Sequence, residues 1–567
     1  MKIFFTDHRF GLILISLLII ASLLGCNYNE KPSSKNEYTN TSNYVSKVWK
    51  SDNEDGTYTN PILNADYSDP DVIRVGDDYF MTASSFNCSP GLPILHSKDL
   101  VNWKIVNYAL PHLNYKECFD VPQHGKGVWA PSIKFHNGAY YIYWGDPDWG
   151  IYMVKTNNPF GKWSNPVLVK EAKGVIDPSP FWDEDGNVYL VTAWAASRAN
   201  INSVLTIWEM NAEGTKIISE GKHVFDGHEN HHTAEGPKLY KKDDYYYIFA
   251  PAGGVSTGWQ LVLRSKDIYG PYKEKVVLAQ GKTDINGPHQ GAWVETQTGE
   301  SWFVHFQEKG AYGRILHLQP VNWVEGWPVM GIDNDGDGCG EPVLTYKKPN
   351  VGKNYPINTP AESDEFNDGK LGLQWQWTAN HSIKWMVHLP GQDYLRLLAY
   401  PKPEATTPLW MVPNLLMQKF PAPEFTATTK LKLTLEWEVW QSKMAGLTVM
   451  GNDYAYLVLA KDEEGYKVEL YNGSMIDKYT AKESLEAAAS ISSNEVFFRV
   501  DVAAPGLCSF SYSEDGTNFK KIGMPHQAQP ELWIGAKVGI FATMEPGIRA
   551  GGYADFDWFR IDELQKK

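Results

Sequence analysis

Three acidic residues stand in matching turn-forming contexts along the chain and could share acid–base chemistry. Asp69 and Asp177 are each followed by proline, and Glu235 is followed by Gly236-Pro237. Any one of them alone is simply a turn residue, because Asp bonds to nearby backbone and proline fixes φ. Three carboxyl groups in one pocket would instead separate their pKa values, so that one stays protonated while its neighbours are ionised. Cleavage of a glycosidic bond by water needs this division between an acid and a base.

A repeated strand pattern between residues 57 and 348 supplies the elements that would position these acids. Each unit begins with a turn rich in Gly, Asp or Asn, followed by a short run of aromatic and β-branched residues, which is typical of β-hairpins. The aromatic anchors are spaced 61, 49, 57 and 56 residues apart: Tyr79, Tyr140, Tyr189, Tyr246 and Trp302. Five units of roughly fifty residues, with little helical periodicity, predict a five-bladed β-propeller.

The same register predicts which residue each blade offers to the central channel. A polar or aromatic residue precedes each anchor by 10 to 13 positions: Asp69, Trp129, Asp177, Glu235 and His289. The strand before such a hairpin is the innermost strand of a blade, so we expect these five side chains to converge on one axial cavity. The three acids would then lie in a single pocket.

The region after the propeller predicts a second β-domain. Residues 349–361 contain Pro, Gly, Asn and Lys without periodicity and are assigned as a linker. Residues 362–567 contain short alternating strands, such as 430–434 and 454–459, with the turn spacing of a β-sandwich. The predicted fold class is therefore all-β, a five-bladed β-propeller followed by a β-sandwich. An independent carbohydrate-binding module is the alternative for the second domain.

The composition is that of a large folded protein with an acidic surface. Of 567 residues, 43% are hydrophobic and 13% are aromatic, enough for a substantial core. The formal net charge of −15 gives no general attraction for phosphate backbones, so nucleic acid is not an expected partner. The aromatic content suits neutral, polar, ring-shaped ligands. The four cysteines after Cys26 match no metal-binding spacing.

The N-terminus has the features of an export signal. Two basic residues, Lys2 and Arg9, precede an apolar run at 10–24 that is shorter than a membrane span of about 20 residues. The run ends Leu-Leu-Gly-Cys, which resembles the bacterial lipoprotein cleavage box with Cys26 as the lipidated residue; simple secretion is the alternative. Residues 1–25 are therefore the predicted signal peptide, and polar residues 26–56 a flexible tether. We expect an exported lipoprotein in the periplasm or on the outer-membrane surface of a Gram-negative bacterium, touching the membrane through its lipid only.

Seven short motifs, in chain order, resemble glycoside hydrolase family 43. They are NPIL at 60–63, SDP at 68–70, VWAPS at 128–132, VIDPSP at 175–180, TAEGP at 233–237, GRILHLQPV at 313–321 and GWP at 326–328. The resemblance covers residues 58–348 and implies a five-bladed propeller of inverting glycosidases. The second domain looks like the concanavalin-type sandwich that follows the propeller in xylosidase-like members.

The resemblance also implies roles for the three acids. Asp69 matches the general base that activates water, and Glu235 matches the general acid that protonates the leaving oxygen. Asp177 matches the residue that tunes the pKa of that acid and orients it. An inverting pair needs about 6.5–9.5 Å between its carboxyl groups to admit a water, a spacing that residues on different blades can provide.

Four further site residues follow from the same resemblance. Arg314 matches an arginine that contacts sugar hydroxyls, with a surface ion pair as the alternative. Trp129 and Phe86 are candidates for the apolar wall of the sugar subsite, with core packing as the alternative. His289 aligns with a histidine that faces a calcium ion in many members, although a hydrogen-bonded histidine without metal fits equally well. No cofactor is required, and a calcium near His289 would be structural.

The expected function is an exo-acting inverting glycosidase that releases a terminal pentose. Both β-D-xylose and α-L-arabinofuranose, from xylan- or arabinan-type oligosaccharides or polysaccharides, are consistent with the resemblance. The alternative from another class is a non-catalytic glycan-binding surface lipoprotein. Such a protein would be marked by loss of Asp69 or Glu235, and both are present.

Overall fold

The computed structural model describes residues 44–435, 443–477, 480–547 and 551–565. The predicted signal peptide and Cys26 lie outside these residues. Strands dominate, and the helical segments in the described ranges are one α-helical turn and three 3-10 turns: Ala196–Ala199, Glu117–Asp120, Gly310–Tyr312 and Leu409–Met411. Within these ranges no helix combines the length and apolarity needed to cross a membrane. The described residues form one compact unit.

Five four-stranded antiparallel sheets make up the propeller, which confirms the predicted blade number. In chain order the strands of blade 1 are Asp71–Val75, Asp78–Thr82, Gly91–Ser97 and Trp103–Leu110; of blade 2, Trp129–His136, Ala139–Asp146, Gly150–Thr156 and Val167–Glu171; of blade 3, Val175–Trp182, Val188–Trp194, Val204–Met210 and Lys222–Asp226; of blade 4, Lys238–Lys242, Tyr245–Ala252, Trp259–Ser265 and Lys273–Ala279; of blade 5, His289–Glu295, Ser301–Glu308, Arg314–Val324 and Trp327–Met330. The first strands of blades 5, 1, 2, 3 and 4 contact one another in that order, which places them around the central axis.

Local sequence explains the hairpins of the blades. In blade 2 the turn between the first two strands is Asn137-Gly138, and both residues have positive φ, 48° and 77°. This is the conformation that a two-residue hairpin requires and that Asn-Gly adopts at low cost. Four of the five aromatic anchors are buried, and Tyr246 is half-buried. Tyr79 and Trp302 belong to the core shared by blades 1 and 5.

The ring is closed by the chain segment that precedes blade 1. Strand Thr57–Thr59 pairs antiparallel with strand Thr345–Lys347, which follows blade 5. The buried amide of Asn60 donates to the carbonyls of Leu318 and Val343 at 2.9 and 2.8 Å and accepts from the Leu318 N–H at 2.8 Å. These bonds join the start of the propeller to its last blade.

Two eight-stranded sheets form the C-terminal β-sandwich. One sheet holds Gln376–Trp377, Tyr400–Pro401, Leu416–Lys419, Lys443–Met450, Asp453–Asp462, Gly465–Met475, Ala481–Ile491 and Lys537–Met544; the other holds Met386–Val387, Leu395–Leu398, Phe425–Thr434, Glu495–Ala503, Leu507–Ser513, Lys520–Lys521, His526–Gln527 and Tyr553–Asp562. In strand Glu495–Ala503 every second residue is buried, so one face packs on the opposite sheet and the other faces outward.

The sandwich is hydrogen-bonded to the propeller through the loop that follows strand Asp78–Thr82. Ser89 exchanges two backbone bonds with Trp377, and the Asn87 amide donates to the Thr378 carbonyl at 2.7 Å. A separate bond joins the Ala536 N–H to the Ala311 carbonyl at 2.7 Å. Contacts of this kind favour a docked domain over an independent module.

The last part of the predicted tether is also fixed to the folded unit. The Ser46 N–H donates to Thr359 Oγ1 at 2.8 Å, and Trp49 Nε1 donates to the Pro61 carbonyl at 3.2 Å. Asp52 forms a bridge with Tyr58. Low hydrophobicity made this stretch resemble a linker, but one tryptophan and a few polar contacts bind it to the propeller and to the interdomain segment.

Candidate active site

A backbone irregularity recurs where each innermost strand begins. Residues with positive φ occur there in all five blades: Asp69 at 55°, Ala130 at 32°, Asp177 at 55°, Thr233 at 55°, Gly236 at 54° and Gln290 at 36°. In blades 2, 3 and 5 the pairing register also shifts at this point, which marks β-bulges. A bulge turns a side chain away from the sheet. The five predicted channel residues therefore lie at or beside the points where the backbone can aim them inward.

Asp69 is held by three donors. Ser68 Oγ and Ser84 Oγ donate to Oδ2 at 2.9 and 2.6 Å, and Arg314 Nη1 donates to Oδ1 at 3.0 Å. Ser84 Oγ itself accepts the Ala130 N–H at 2.7 Å, which ties the bond network to blade 2. Both oxygens of a buried carboxylate are thus fixed in orientation.

Asp177 is buried and shares its surroundings with the two other acids. Burial and the nearby Glu235 carboxyl raise the pKa of Asp177 well above its usual value, and Asp69 adds to the effect. The Gly236 N–H, which donates to Oδ2 at 2.8 Å, and the Lys238 ammonium oppose it. The structure therefore brings Asp69, Asp177 and Glu235 into one electrostatically coupled cluster.

Glu235 is the most open of the three acids. Its side chain is 29% exposed, whereas that of Asp69 is 5% exposed. His289 Nε2 lies 2.9 Å from Glu235 Oε1 and belongs to a completely buried imidazole. The backbone N–H of Glu235 donates to the Pro251 carbonyl at 3.1 Å. A fixed carboxyl group with access to the pocket is suited to exchange a proton with a bound molecule.

Arg314 is buried beside Asp69 rather than placed at the surface. Its Nη1 donates to Ser68 Oγ at 2.7 Å as well as to Asp69, and its side chain is 7% exposed. The guanidinium lies over the Phe306 ring, 4.8 Å from its centroid. This environment excludes the surface ion pair that was the alternative for Arg314.

Comparison with known proteins agrees with this arrangement. The model of glycosyl hydrolases family 43 matches residues 58–328, and that of the beta xylosidase C-terminal concanavalin A-like domain matches residues 363–562. A putative beta-xylosidase of Xylanibacter ruminicola is 38% identical over 503 residues, 88% of each chain. The chain belongs to glycosyl hydrolase family 43. It is a glycoside hydrolase of the β-xylosidase and arabinofuranosidase type.

Two more relatives show the range of names within the family. A non-reducing end alpha-L-arabinofuranosidase, BoGH43B of Bacteroides ovatus, is 29% identical and aligns over 89% of this chain and 94% of its own length. The crystal structure of a xylan beta-1,4-xylosidase from Bacillus halodurans C-125 superposes with a TM-score of 0.76 at 26% identity, covering 89% of this chain and all of that one. The similarity thus extends over both domains.

The aromatic side of this family 43 site combines residues of both domains. Trp129 contacts Phe86 edge-on with centroids 6.5 Å apart, and Trp533 of the sandwich lies 6.2 Å from Trp129 in the same geometry. Trp533 is 41% exposed and lies 5.6 Å from the Arg314 guanidinium. Phe86 is almost fully buried, so it supports Trp129 from behind, while Trp129 and Trp533 offer open aromatic surface.

Sequence reasoning missed several residues of the site. Trp533 sits in a loop at positive φ, 69°, and no local pattern predicts that domain docking brings it to Arg314. Ser84 follows the second strand of blade 1, and its bond to Asp69 depends on how that strand pairs with the first. Lys238 follows Glu235 by three positions, and its buried Nζ donates to the Pro131 carbonyl at 3.0 Å.

The residues around His289 do not form a calcium cage of their own. One nitrogen faces Glu235, and the group of three potential metal ligands found among the described residues is elsewhere, at Asp333, Asp335 and Asp337. Calcium prefers six to eight oxygen ligands, so an ion near His289 would have to be held mainly through water.

The calcium near His289 stays a prediction. Calorimetric titration of chelator-treated protein with CaCl2 tests it, and the absence of saturable heat would contradict it.

The pH dependence of stability tests the electrostatic cost of the cluster. Because the folded pKa of Asp177 is raised above an unfolded value of about 3.9, its ionisation destabilises the fold increasingly as pH rises above that value. Asp177→Asn should therefore unfold at a higher temperature than the wild type at pH 8, by about 3 °C or more, with a difference that shrinks toward pH 4. Thermal unfolding followed by circular dichroism measures this.

The control for this measurement is Glu184→Gln, which removes a carboxylate whose side chain is 87% exposed. This variant should follow the wild type at every pH. A Tm of Asp177→Asn equal to or below that of the wild type at pH 8 would contradict the placement of Asp177 in a destabilising charge cluster.

Proposed function

We propose that the protein is an exo-acting inverting glycosidase that removes a terminal pentose from xylan- or arabinan-type glycans. The observation that carries the proposal is the coupled cluster of Asp69, Asp177 and Glu235 beside the buried guanidinium of Arg314. Such a cluster supplies an acid, a base and a fixed group for sugar hydroxyls at one point of the channel.

The environments of the acids support different roles in this mechanism. Glu235 is the general acid, since its carboxyl group is open to the pocket and oriented by His289. Asp69 is the general base that takes a proton from the attacking water, because three donors fix its carboxylate. Asp177 is a positioning residue: its carboxyl group accepts the Gly236 N–H next to Glu235 and so fixes the backbone that carries the general acid.

The sandwich supports action at a chain end. Trp533 reaches from the second domain to Trp129 and Arg314, so the sandwich adds an aromatic wall to the pocket and narrows the space left for an extended chain. A neutral pentose offers an apolar ring face to tryptophan and hydroxyls to arginine. The names of the relatives include both beta-xylosidase and alpha-L-arabinofuranosidase, which supports a terminal pentose as the unit released. Asp69 and Glu235 are both present, and no observation favours a non-catalytic glycan-binding protein.

The role assignment is tested with aryl β-D-xylopyranosides and aryl α-L-arabinofuranosides of differing leaving groups. Glu235→Gln should lower kcat by about 10²–10⁴-fold with a poor leaving group and much less with dinitrophenolate, which departs without a proton. Asp69→Asn should lower kcat by a similar factor for both leaving groups. The variant lacks the base that activates water, and a better leaving group does not replace that base. Glu184→Gln is the matched control and should keep wild-type rates.

Proton NMR of the first-formed sugar tests inversion in the same reactions. A β-xyloside should yield α-xylose before mutarotation. Release of β-xylose, or equal loss in Glu235→Gln for both leaving groups, would contradict the mechanism. Turnover of neither pentoside by the wild type, together with tight binding of xylan oligosaccharides, would favour the binding protein.

We propose further that residues 1–25 are removed on export and that Cys26 carries the lipid anchor. The support is the basic start, the apolar run at 10–24 and the Leu-Leu-Gly-Cys end. The full-length protein, produced in a Gram-negative host, should partition into the detergent phase, whereas Cys26→Ala should not. Equal partitioning of the two proteins would contradict lipidation at this residue.

A further inference from the structure

Cys88 and Lys537 meet where the propeller and the sandwich are docked. Lys537 Nζ lies 2.8 Å from Cys88 Sγ, and each residue is only 4% exposed. Cys88 belongs to the blade 1 loop that also bonds to Trp377, and Lys537 begins strand Lys537–Met544 of the sandwich. The pair therefore joins residues far apart in sequence across the domain interface.

The separation is short for a sulfur atom. The thiols of Cys508 and Cys339 lie 3.4 and 3.8 Å from the carbonyl oxygens to which they donate. A distance of 2.8 Å is that of a charge-assisted N–H···O bond, about 2.7–2.9 Å, although sulfur is larger than oxygen. The amine nitrogen and the sulfur are thus close enough for a single atom to bridge them.

Charged side chains surround the contact between Cys88 and Lys537. Burial lowers the pKa of Lys537, but the Cys88 sulfur and the Glu531 carboxylate outweigh this and raise it. Lys419 pairs with Lys537 in the neighbouring strand, and burial lowers the pKa of Lys419 while the Asp66 carboxylate opposes this shift. Glu531 is in addition bonded to His124 at 3.0 Å. Two lysine side chains and the carboxylates of Glu531 and Asp66 thus surround the Cys88–Lys537 contact.

Space for a small oxidant lies in the same docking region, between the propeller and the sandwich. Lys419 and Tyr108 interact electrostatically with Cys88, and both line a cavity of about 60 Å³ between the two domains. A single water needs about 10–15 Å³ of such space, so a molecule of dioxygen fits.

We propose that Cys88 and Lys537 are a modification site at which dioxygen forms a reversible nitrogen–oxygen–sulfur cross-link. One thiol, one amine and one O₂ give the S–O–NH bridge and one water. The S–O and N–O bonds form, the O–O bond breaks, and the thiol hydrogen and one amine hydrogen leave in the water. Sulfur and nitrogen each lose two electrons, and dioxygen takes up all four. Two equivalents of a dithiol return the four electrons and release the bridging oxygen as water.

The cross-link would fasten the loop that carries Trp533. Lys537 follows Trp533 by four residues, and Cys88 follows Phe86 by two. Gly535 lies between Trp533 and Lys537, and its N–H donates to Asp66 Oδ2 at 3.1 Å. The bridge therefore fixes the aromatic wall of the pocket from both domains, whatever sugar the pocket accepts.

Peptide mass spectrometry of the purified protein is the direct test. After aerobic incubation, the peptides containing Cys88 and Lys537 should appear joined, with their summed mass increased by one oxygen and reduced by two hydrogens. The joined species should disappear after treatment with dithiothreitol and should not form under argon. The oxidised protein should unfold about 5 °C above the reduced one, because the bridge closes a long loop.

The variants separate the cross-link from other oxidation. Cys88→Ser and Lys537→Arg should abolish the joined species and make Tm insensitive to dithiothreitol; Cys508→Ser, which removes another buried thiol, should retain both effects. If Lys537→Arg does not fold, Cys88→Ser alone decides. A joined species through Lys419, a sulfenic acid on unlinked Cys88, or a Cys88 thiol that is fully alkylated after aerobic incubation and denaturation would each overturn the proposal.

Discussion

The site depends on holding three carboxyl groups close together inside a largely buried channel. Charge placed in such surroundings is unfavourable unless donors or cations compensate it. For Asp177 the compensation comes from the Gly236 N–H and Lys238, both at the start of blade 4. For Asp69 it comes from serine hydroxyls of blade 1 and from Arg314 of blade 5. Because these partners belong to different blades, the cluster can form only when the ring is complete. The hydrogen bonds of Asn60 that close the ring are therefore also needed to assemble the three acids.

The propeller brings the acids together by repeating one backbone irregularity. Positive φ at Asp69 and Asp177 is unfavourable for residues with a side chain, and it persists only where surrounding structure enforces it. Bulges at the same level of several innermost strands turn one side chain per blade toward the axis. The Asp-Pro sequences thus have two functions, since proline ends the irregular turn and the acid before it is aimed into the channel. The turn interpretation and the catalytic interpretation of Asp69 describe the same feature.

Residues whose position follows from local sequence could be predicted, and those set by domain docking could not. The hairpin at Asn137-Gly138 and the spacing from Asp177 to Tyr189 are local, so the blade count and the channel residues follow from the chain alone. Phe86 was predicted to line the subsite, but its close packing behind Trp129 appears only when blades 1 and 2 are assembled. Trp533 is distant in sequence from Arg314, and no periodicity relates the two. The family resemblance predicted a role for Arg314. Its hydrogen bond to Ser68 Oγ depends on how blades 1 and 5 meet and could not be predicted.

Asp66 shows why the sandwich and the active site behave as one unit. Its Oδ1 accepts the backbone N–H of Arg314 at 2.9 Å, and its Oδ2 accepts the backbone N–H of Gly535 at 3.1 Å. One buried carboxylate therefore positions both the arginine that faces Asp69 and the segment that carries Trp533. A shift of the sandwich would move the aromatic wall and disturb the backbone of Arg314 together, since both bonds share one rigid group. The precision of the pocket is thus set by the domain interface as much as by the propeller, and a covalent bond at that interface would act on the same segment.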